Sequence, residues 1–307
     1  MASPPTKAAT TRDEADMRML GKTQVLRRNF RFISTLGFAC TLMSTLERRD
    51  CRTNMGSPTS GGQYHWVSEF APAKYQRFLS WLVGWISVLG WQIGLGSLAF
   101  IVGTVIQGLI VLDDSAYVSE RWQGTLLVMA VAAFSIIFNS FLASKLPMVE
   151  GLVLILHLVG FFAVLIPLWI LAPRFSASEA FGTITNLGGW PSNGLSFMVG
   201  LLTPVYTLLG ADSAVHMAEE IKDASLTLPR AIMASASING ILGWVMTITF
   251  CFTLGNLLDI TQSATGYPFI QVFYNATKSR GGASVMTAII IINITSACIS
   301  TVATVYR

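Results

Sequence analysis

Seven long apolar runs decide what this chain can become. They cover residues 30–46, 79–112, 124–143, 149–172, 195–217, 231–256 and 283–306. About 20 residues are needed to cross roughly 30 Å of hydrocarbon. Six runs reach that length and the first, at 17 residues, falls short. Lipid offers no partner to a peptide group, so each run must be a helix or backbone buried within protein. The alternating pattern of a membrane barrel strand is absent. Composition agrees: 52% of residues are hydrophobic and 12% charged, against about 25% charged in a soluble domain. Mean hydropathy is +0.58. A disordered chain, a disulfide-stapled secreted domain and an ordinary soluble enzyme are excluded. The expected class is an all-α polytopic membrane protein, with a polar, disordered cytosolic tail over 1–29 and a transmembrane domain over 30–307.

The tail carries acids and no short apolar core with a cleavage site, so it is not a signal peptide. It ends in Arg27, Arg28 and Arg31. Such a cluster holds a segment on the cytosolic side and touches anionic lipid. Cys40, Cys51, Cys251 and Cys298 show no metal-site spacing and read as free thiols. No phosphate-binding loop, dinucleotide fingerprint or serine elbow is present. No cofactor, no metal and no nucleic acid are expected.

The loop charges set a parity problem. If 30–46 spans outward from the cytosol, then Arg48, Arg49, Arg52, Lys74 and Arg77 fall outside, against the positive-inside rule. If the loop is instead inside, 113–123 falls outside with Asp113, Asp114 and Glu120, and Lys145, Lys222 and Arg230 fall inside. Asn275-Ala276-Thr277, a glycosylation sequon, is then external. A crossing is missing near 46–56, or the first run is re-entrant.

The run 195–217 is the most informative. It holds Gly200, Pro204 and Gly210, followed by Ala211, Asp212, Ser213 and His216, with Glu219 just beyond. Proline removes a helix hydrogen bond and glycine weakens the helix further. A charged Asp at bilayer depth costs about 2.5–3.5 kcal/mol, so Asp212 faces a cavity or a partner. A helix broken near the midplane exposes carbonyls and amides that can hold the ends of small zwitterions. The plainer reading is a kinked helix with Asp212 near the interface. Asp212 and His216 share one helix face, which suits a proton relay, a metal pair, an acid–base site or a structural pair. In 79–112, Gly90 and Gly94 have the spacing that lets helices approach closely. Trp91 and Gln92 either pack there or line a cavity. Glu150 reads as an interfacial cap or ion pair.

Pro58-Thr59-Ser60-Gly61-Gly62-Gln63-Tyr64-His65-Trp66 resembles the loop between helices two and three of the amino acid–polyamine–organocation transporter superfamily. Leu208-Leu209-Gly210-Ala211-Asp212-Ser213-Ala214-Val215-His216-Met217-Ala218-Glu219-Glu220 resembles the broken sixth helix of its fungal amino-acid, GABA and choline permease branch. Leu228-Pro229-Arg230-Ala231-Ile232 and Leu26-Arg27-Arg28-Asn29-Phe30 resemble flanking family blocks. The resemblance implies a LeuT-type inverted-repeat fold with substrate at the unwound middles of helices one and six, and uptake driven by protons. It implies breaks at Leu36-Gly37 and Leu209-Gly210. It implies a substrate site of Gly37, Thr41, Ser44, Trp91, Gln92, Tyr206, Gly210, Ala211, Asp212 and Ser213. Asp212, His216 and Glu219 become candidates for proton coupling. The partners implied are an amino acid, GABA or a choline-like cation, protons and the bilayer. The implied location is the plasma membrane with a cytosolic N-terminus.

The chain departs from the family where Leu46 runs into Glu47, Arg48, Arg49, Asp50 and Arg52 and then almost at once into the glycine loop. A second helix has no room there, and the chain stops at Arg307 inside an eighth. The expectation is an incomplete fold of about six full transmembrane helices plus a partial first helix, with impaired transport. The alternative is a non-transporting membrane sensor or assembly partner.

Overall fold

The computed structural model describes residues 13, 28–42, 60–114, 116–182, 186–203, 210 and 213–305, with backbone alone at 41, 42 and 258. All regular elements there are helical, and the one extended pairing is a parallel bridge between Phe30 and Ile221. The helices are α1 (Phe32–Leu42), α2 (Gly62–Phe70), α3 (Gln76–Asp113), α4 (Arg121–Leu142), α5 (Leu146–Leu171), α6 (Ala177–Gly182) and α7 (Asn193–Gly200). They continue with α8 (Ser213–His216), α9 (Ala224–Thr253), α10 (Leu257–Thr261), α11 (Pro268–Thr277) and α12 (Arg280–Val305).

Four helical stretches among the described residues are long and apolar enough to cross a membrane: Gln76–Asp113, Arg121–Leu171, Ala224–Thr253 and Arg280–Val305. The second joins two of the expected runs through a 3-10 turn at Ala143–Lys145. The protein is thus an all-α, multi-pass integral membrane protein. α3 follows from an apolar run with neither proline nor charge between Leu79 and Leu112. Its 38 residues extend about 57 Å at ~1.5 Å each, nearly twice a hydrocarbon core. α4 starts on a capping box, in which Glu120 and Gln123 satisfy each other's backbone N–H groups. Pro147 sits in the first turn of α5, where its missing N–H costs nothing.

α12 is the central post. It packs against α1, α3, α4, α5, α8 and α11. Two features let it do so. Alanine, serine and threonine crowd its second half, where residues 296–304 are all buried. The hydroxyls of Ser296, Thr301 and Thr304 each donate to a carbonyl one turn back, which satisfies them inside the bundle. One apolar cluster gathers Phe30, Phe38, Leu146, Val215, Met217, Ile221, Leu228 and Ile299 around the start of α1. A second, with Leu168, Ile260 and Phe273, lies around α11.

The run 195–217 is not one continuous helix. α7 ends at Gly200, Gly210 has φ +92°, and α8 begins only at Ser213. A φ of that sign is incompatible with a right-handed helix and is freely available only to glycine.

Candidate functional site

The glycine loop and the end of the broken run, read from the sequence as separate blocks, meet in space. His216 is buried on α8. The indole N–H of Trp91 on α3 donates to its Nε2 at 3.2 Å, and the two rings meet edge to face at 5.5 Å. An indole N–H can only donate, so Nε2 accepts and the ring proton sits on Nδ1. Nδ1 then donates to the carbonyl of Ser60 at 2.9 Å. The hydroxyl of Ser60 donates to Glu219 Oε1 at 3.1 Å. Gly62 has φ +51°, and a Cβ there would stand 3.1 Å from His216 Cε1. The loop therefore needs glycine both for its backbone and to admit the imidazole. Trp91, His216 and Glu219 are brought together around Ser60. Gln92, one residue on, is exposed on the helix surface.

Ser213 lies one turn before His216 and is fully buried, and its Oγ has no hydrogen-bond partner among the described residues. Its N–H bonds the Gly210 carbonyl at 3.1 Å. Ser44, Tyr206, Ala211 and Asp212 lie outside the described residues, as does the side chain of Thr41. Among the described residues no group of His, Cys, Asp and Glu has the arrangement to hold a metal ion.

Gly37 corrects an expectation. α1 runs through it without interruption, so no break opens at Leu36-Gly37. A Cβ on Gly37 would lie 2.3 Å from the Glu150 carbonyl oxygen and 3.4 Å from Leu154 Cβ. The glycine permits backbone-to-backbone packing of α1 on α5.

A second correction concerns Arg28, expected at the lipid surface. It is buried, and its guanidinium bonds Asp13 Oδ1 at 2.9 Å and the Ile221 carbonyl at 2.7 Å. Asp13 is wholly buried and also accepts the Asp223 N–H at 2.9 Å. Phe30 completes the seam: its N–H bonds Glu220 O, and its carbonyl accepts the Lys222 N–H, each at 3.1 Å. The segment leading into α1 is thus tied to the segment after His216.

A third correction is Glu150. It is not an interfacial cap: it is 1% exposed between α1, α5 and α12, and Ser300 Oγ donates to its Oε1. Two turns on along α5 lies His157, and on the neighbouring α9 the Asn239 amide donates to the Cys40 carbonyl at 3.0 Å. Sequence reading passed over this stripe because a single acid near a proline resembles a helix start. The signal that could have found it is the seven-residue spacing of Glu150 and His157, which puts both on one helix face.

The sequence model of the amino acid permease family matches residues 48–307. The chain is 32% identical, over 76% of its length, to a protein of Macrophomina phaseolina named for amino acid/polyamine transport. It is 28% identical over 76% of its length to the choline transporter of Saccharomyces cerevisiae. It is 30% identical over 73% of its length to the amino-acid permease BAT1 of Arabidopsis thaliana. It spans 51%, 42% and 46% of these relatives' own lengths, about half in each case. With the family match covering most of the chain, the chain belongs to the amino acid permease family of the amino acid–polyamine–organocation superfamily.

Proposed function

We propose that this chain belongs to a transporter that imports an amino acid, GABA or a choline-like organic cation across the plasma membrane, driven by protons, with its N-terminus in the cytosol. The observation that carries this reading is the interruption at Gly210 within an otherwise apolar run. A non-helical residue there frees peptide groups to meet a small charged solute. Ser213 supplies a buried hydroxyl beside it. The proposed substrate site is Gly210, Ala211, Asp212, Ser213 and Tyr206, with Thr41 of α1 and Ser44. Trp91 on α3 reaches it through His216, Gln92 is the next residue on that helix, and Gly37 lets α1 seat on α5. Aromatic rings near a bound cation add ~0.5–2 kcal/mol of attraction. Asp212, His216 and Glu219 are the first candidates for proton coupling.

The short, charged stretch at 47–52 favours a second reading, a membrane sensor or assembly partner that binds solute without moving it. Uptake by the 307-residue chain is accordingly expected to be impaired. The test is expression in a permease-deficient host, with labelled GABA, choline and mixed amino acids supplied with and without a proton gradient. A longer form carrying the relatives' additional segments runs beside it. Gradient-driven, saturable accumulation by the longer form supports transport. Binding without flux in both forms favours the second reading. Neither binding nor flux in either form overturns both.

A further inference from the structure

We propose that Asp13 makes the N-terminal tail a releasable lock on the segment that joins the interrupted run to α9. That segment, residues 218–223, holds one 3-10 turn at Ala218–Glu220, and non-local contacts grip its second half residue by residue. The Glu220 carbonyl accepts the Phe30 N–H, and the Lys222 N–H donates to the Phe30 carbonyl, each at 3.1 Å. The Ile221 carbonyl accepts from the Arg28 guanidinium at 2.7 Å. The Asp223 N–H donates to Asp13 Oδ1 at 2.9 Å. That same oxygen accepts from Arg28 at 2.9 Å. Asp13 therefore closes a ring: it holds Arg28 against Ile221 and takes the N–H that stands at the foot of α9.

Two features make this contact a lock that can open. The first is the backbone of Asp223, at φ +48° and ψ +51°. The left-handed region is strained for a residue with a side chain, and such strain persists only where the surroundings enforce it. In this conformation the Asp223 N–H meets Asp13. Once Asp13 leaves, Asp223 can return to an unstrained region and the turn before α9 re-forms. The segment thus has two arrangements, and the tail selects one of them. The second feature is the balance of the ion pair. Asp13 is wholly buried and Arg28 nearly so. The attraction between two buried charges is largely offset by their lost hydration, so the pair fixes where the tail sits more than it adds to stability. When the tail lifts off, both charges regain water together. A contact that is specific in position and small in net free energy opens and closes reversibly. The locked segment carries Glu219 and follows directly on His216, which the glycine loop holds from the other side. Lifting Asp13 leaves these residues on the glycine loop and the Phe30 bridge.

A role for the lock in solute movement rests on the transport reading above, but the lock itself is testable without transport. The purified 307-residue chain in detergent is followed by hydrogen exchange at fixed pH in rising urea. In the parent chain, amides 220–223, Asp223 above all, should exchange through a local opening that low urea does not accelerate. The buried part of α12, residues 296–304, should exchange only as urea unfolds the bundle. Asp13→Ala removes a charged acceptor and should speed exchange at Asp223 by about tenfold or more. Asp13→Asn keeps an acceptor oxygen without the charge and should speed it less. Both should leave 296–304 within about twofold of the parent, as expected for a distant, independent site. If 220–223 follows 296–304 through the urea series in the parent, the contact is a fixed part of the core and the proposal is overturned. An Asp13→Ala chain with Asp223 unchanged, or with 296–304 loosened equally, overturns it too. In the uptake assay, the longer form carrying Asp13→Ala should show a changed maximal rate at unchanged half-saturation. An unaltered rate alongside the expected exchange refutes the role in transport and leaves the lock standing. A longer form that moves no solute refutes the transport reading and likewise leaves the lock standing.

Discussion

Gly37→Ala tests the close packing of α1 on α5 with one methyl group. The added Cβ would meet the Glu150 carbonyl oxygen at 2.3 Å and its carbon at 2.9 Å, against an ordinary non-bonded separation of about 3.5 Å. The shortfall is about 1 Å. Both contacts are backbone, so no side chain can swing aside and the helices must separate. Overpacking costs about 1–3 kcal/mol, and a backbone clash belongs at the upper end, ~3 kcal/mol. Alanine in place of glycine inside a helix recovers ~1 kcal/mol. The net loss of ~2 kcal/mol corresponds to roughly thirtyfold in the ratio of docked to undocked α1. Hydrogen exchange of residues 32–42 in detergent reads that ratio directly. Gly151→Ala is the control, because a Cβ there meets nothing within 4 Å; it should be neutral or slightly stabilising. If Gly37→Ala protects α1 as well as the parent chain does, α1 is not seated on α5 as described and the reasoning fails.

Other outcomes follow from the same contacts. Arg28→Ala strands the buried Asp13 carboxylate and should cost ~3–5 kcal/mol, read as rapid proteolysis near residue 30. Arg28→Ala combined with Asp13→Ala should recover much of it, and no recovery would refute the pair. Gly62→Ala forces a side chain to φ +51° against His216 and should lower thermal stability by ~1–3 kcal/mol. Ser176 donates to Glu179 from its hydroxyl at 2.7 Å and its N–H at 2.9 Å, which holds that carboxyl below its ordinary value. The small stabilisation this gives is present at neutral pH and is lost as pH falls through the folded-state value. Carboxyl-carbon NMR should show the Glu179 midpoint moving to higher pH in Ser176→Ala. The proposed orientation, Asn275 external and Lys145 internal, predicts a glycan at Asn275 in a eukaryotic host, and protease attack on the Lys145 turn from outside would overturn it.

The apolar runs told of helices because a peptide group in lipid can be satisfied only by its own segment. That requirement is local and is written residue by residue. The same holds for Gly210, whose neighbours already mark a weak point in the helix. The positions of Trp91 and His216, 125 residues apart, could not be read this way. Their hydrogen bond depends on how α3 and α8 pack, and side chains on different helices have no spacing to count. Arg28 shows the limit most plainly. By composition it belongs to a basic cluster beside a membrane, but burial against Ile221, 193 residues away, turns it inward to Asp13. Glu150 is the converse: a lone acid looks like a cap until α1 and α12 close over it and Ser300 is placed at its oxygen. Helix content and membrane residence were set by short-range hydrogen-bonding need and hydrophobicity. Which polar groups are buried, and with whom, was decided by packing between segments far apart in the chain, since the cost of burial depends on a partner that only the folded bundle supplies.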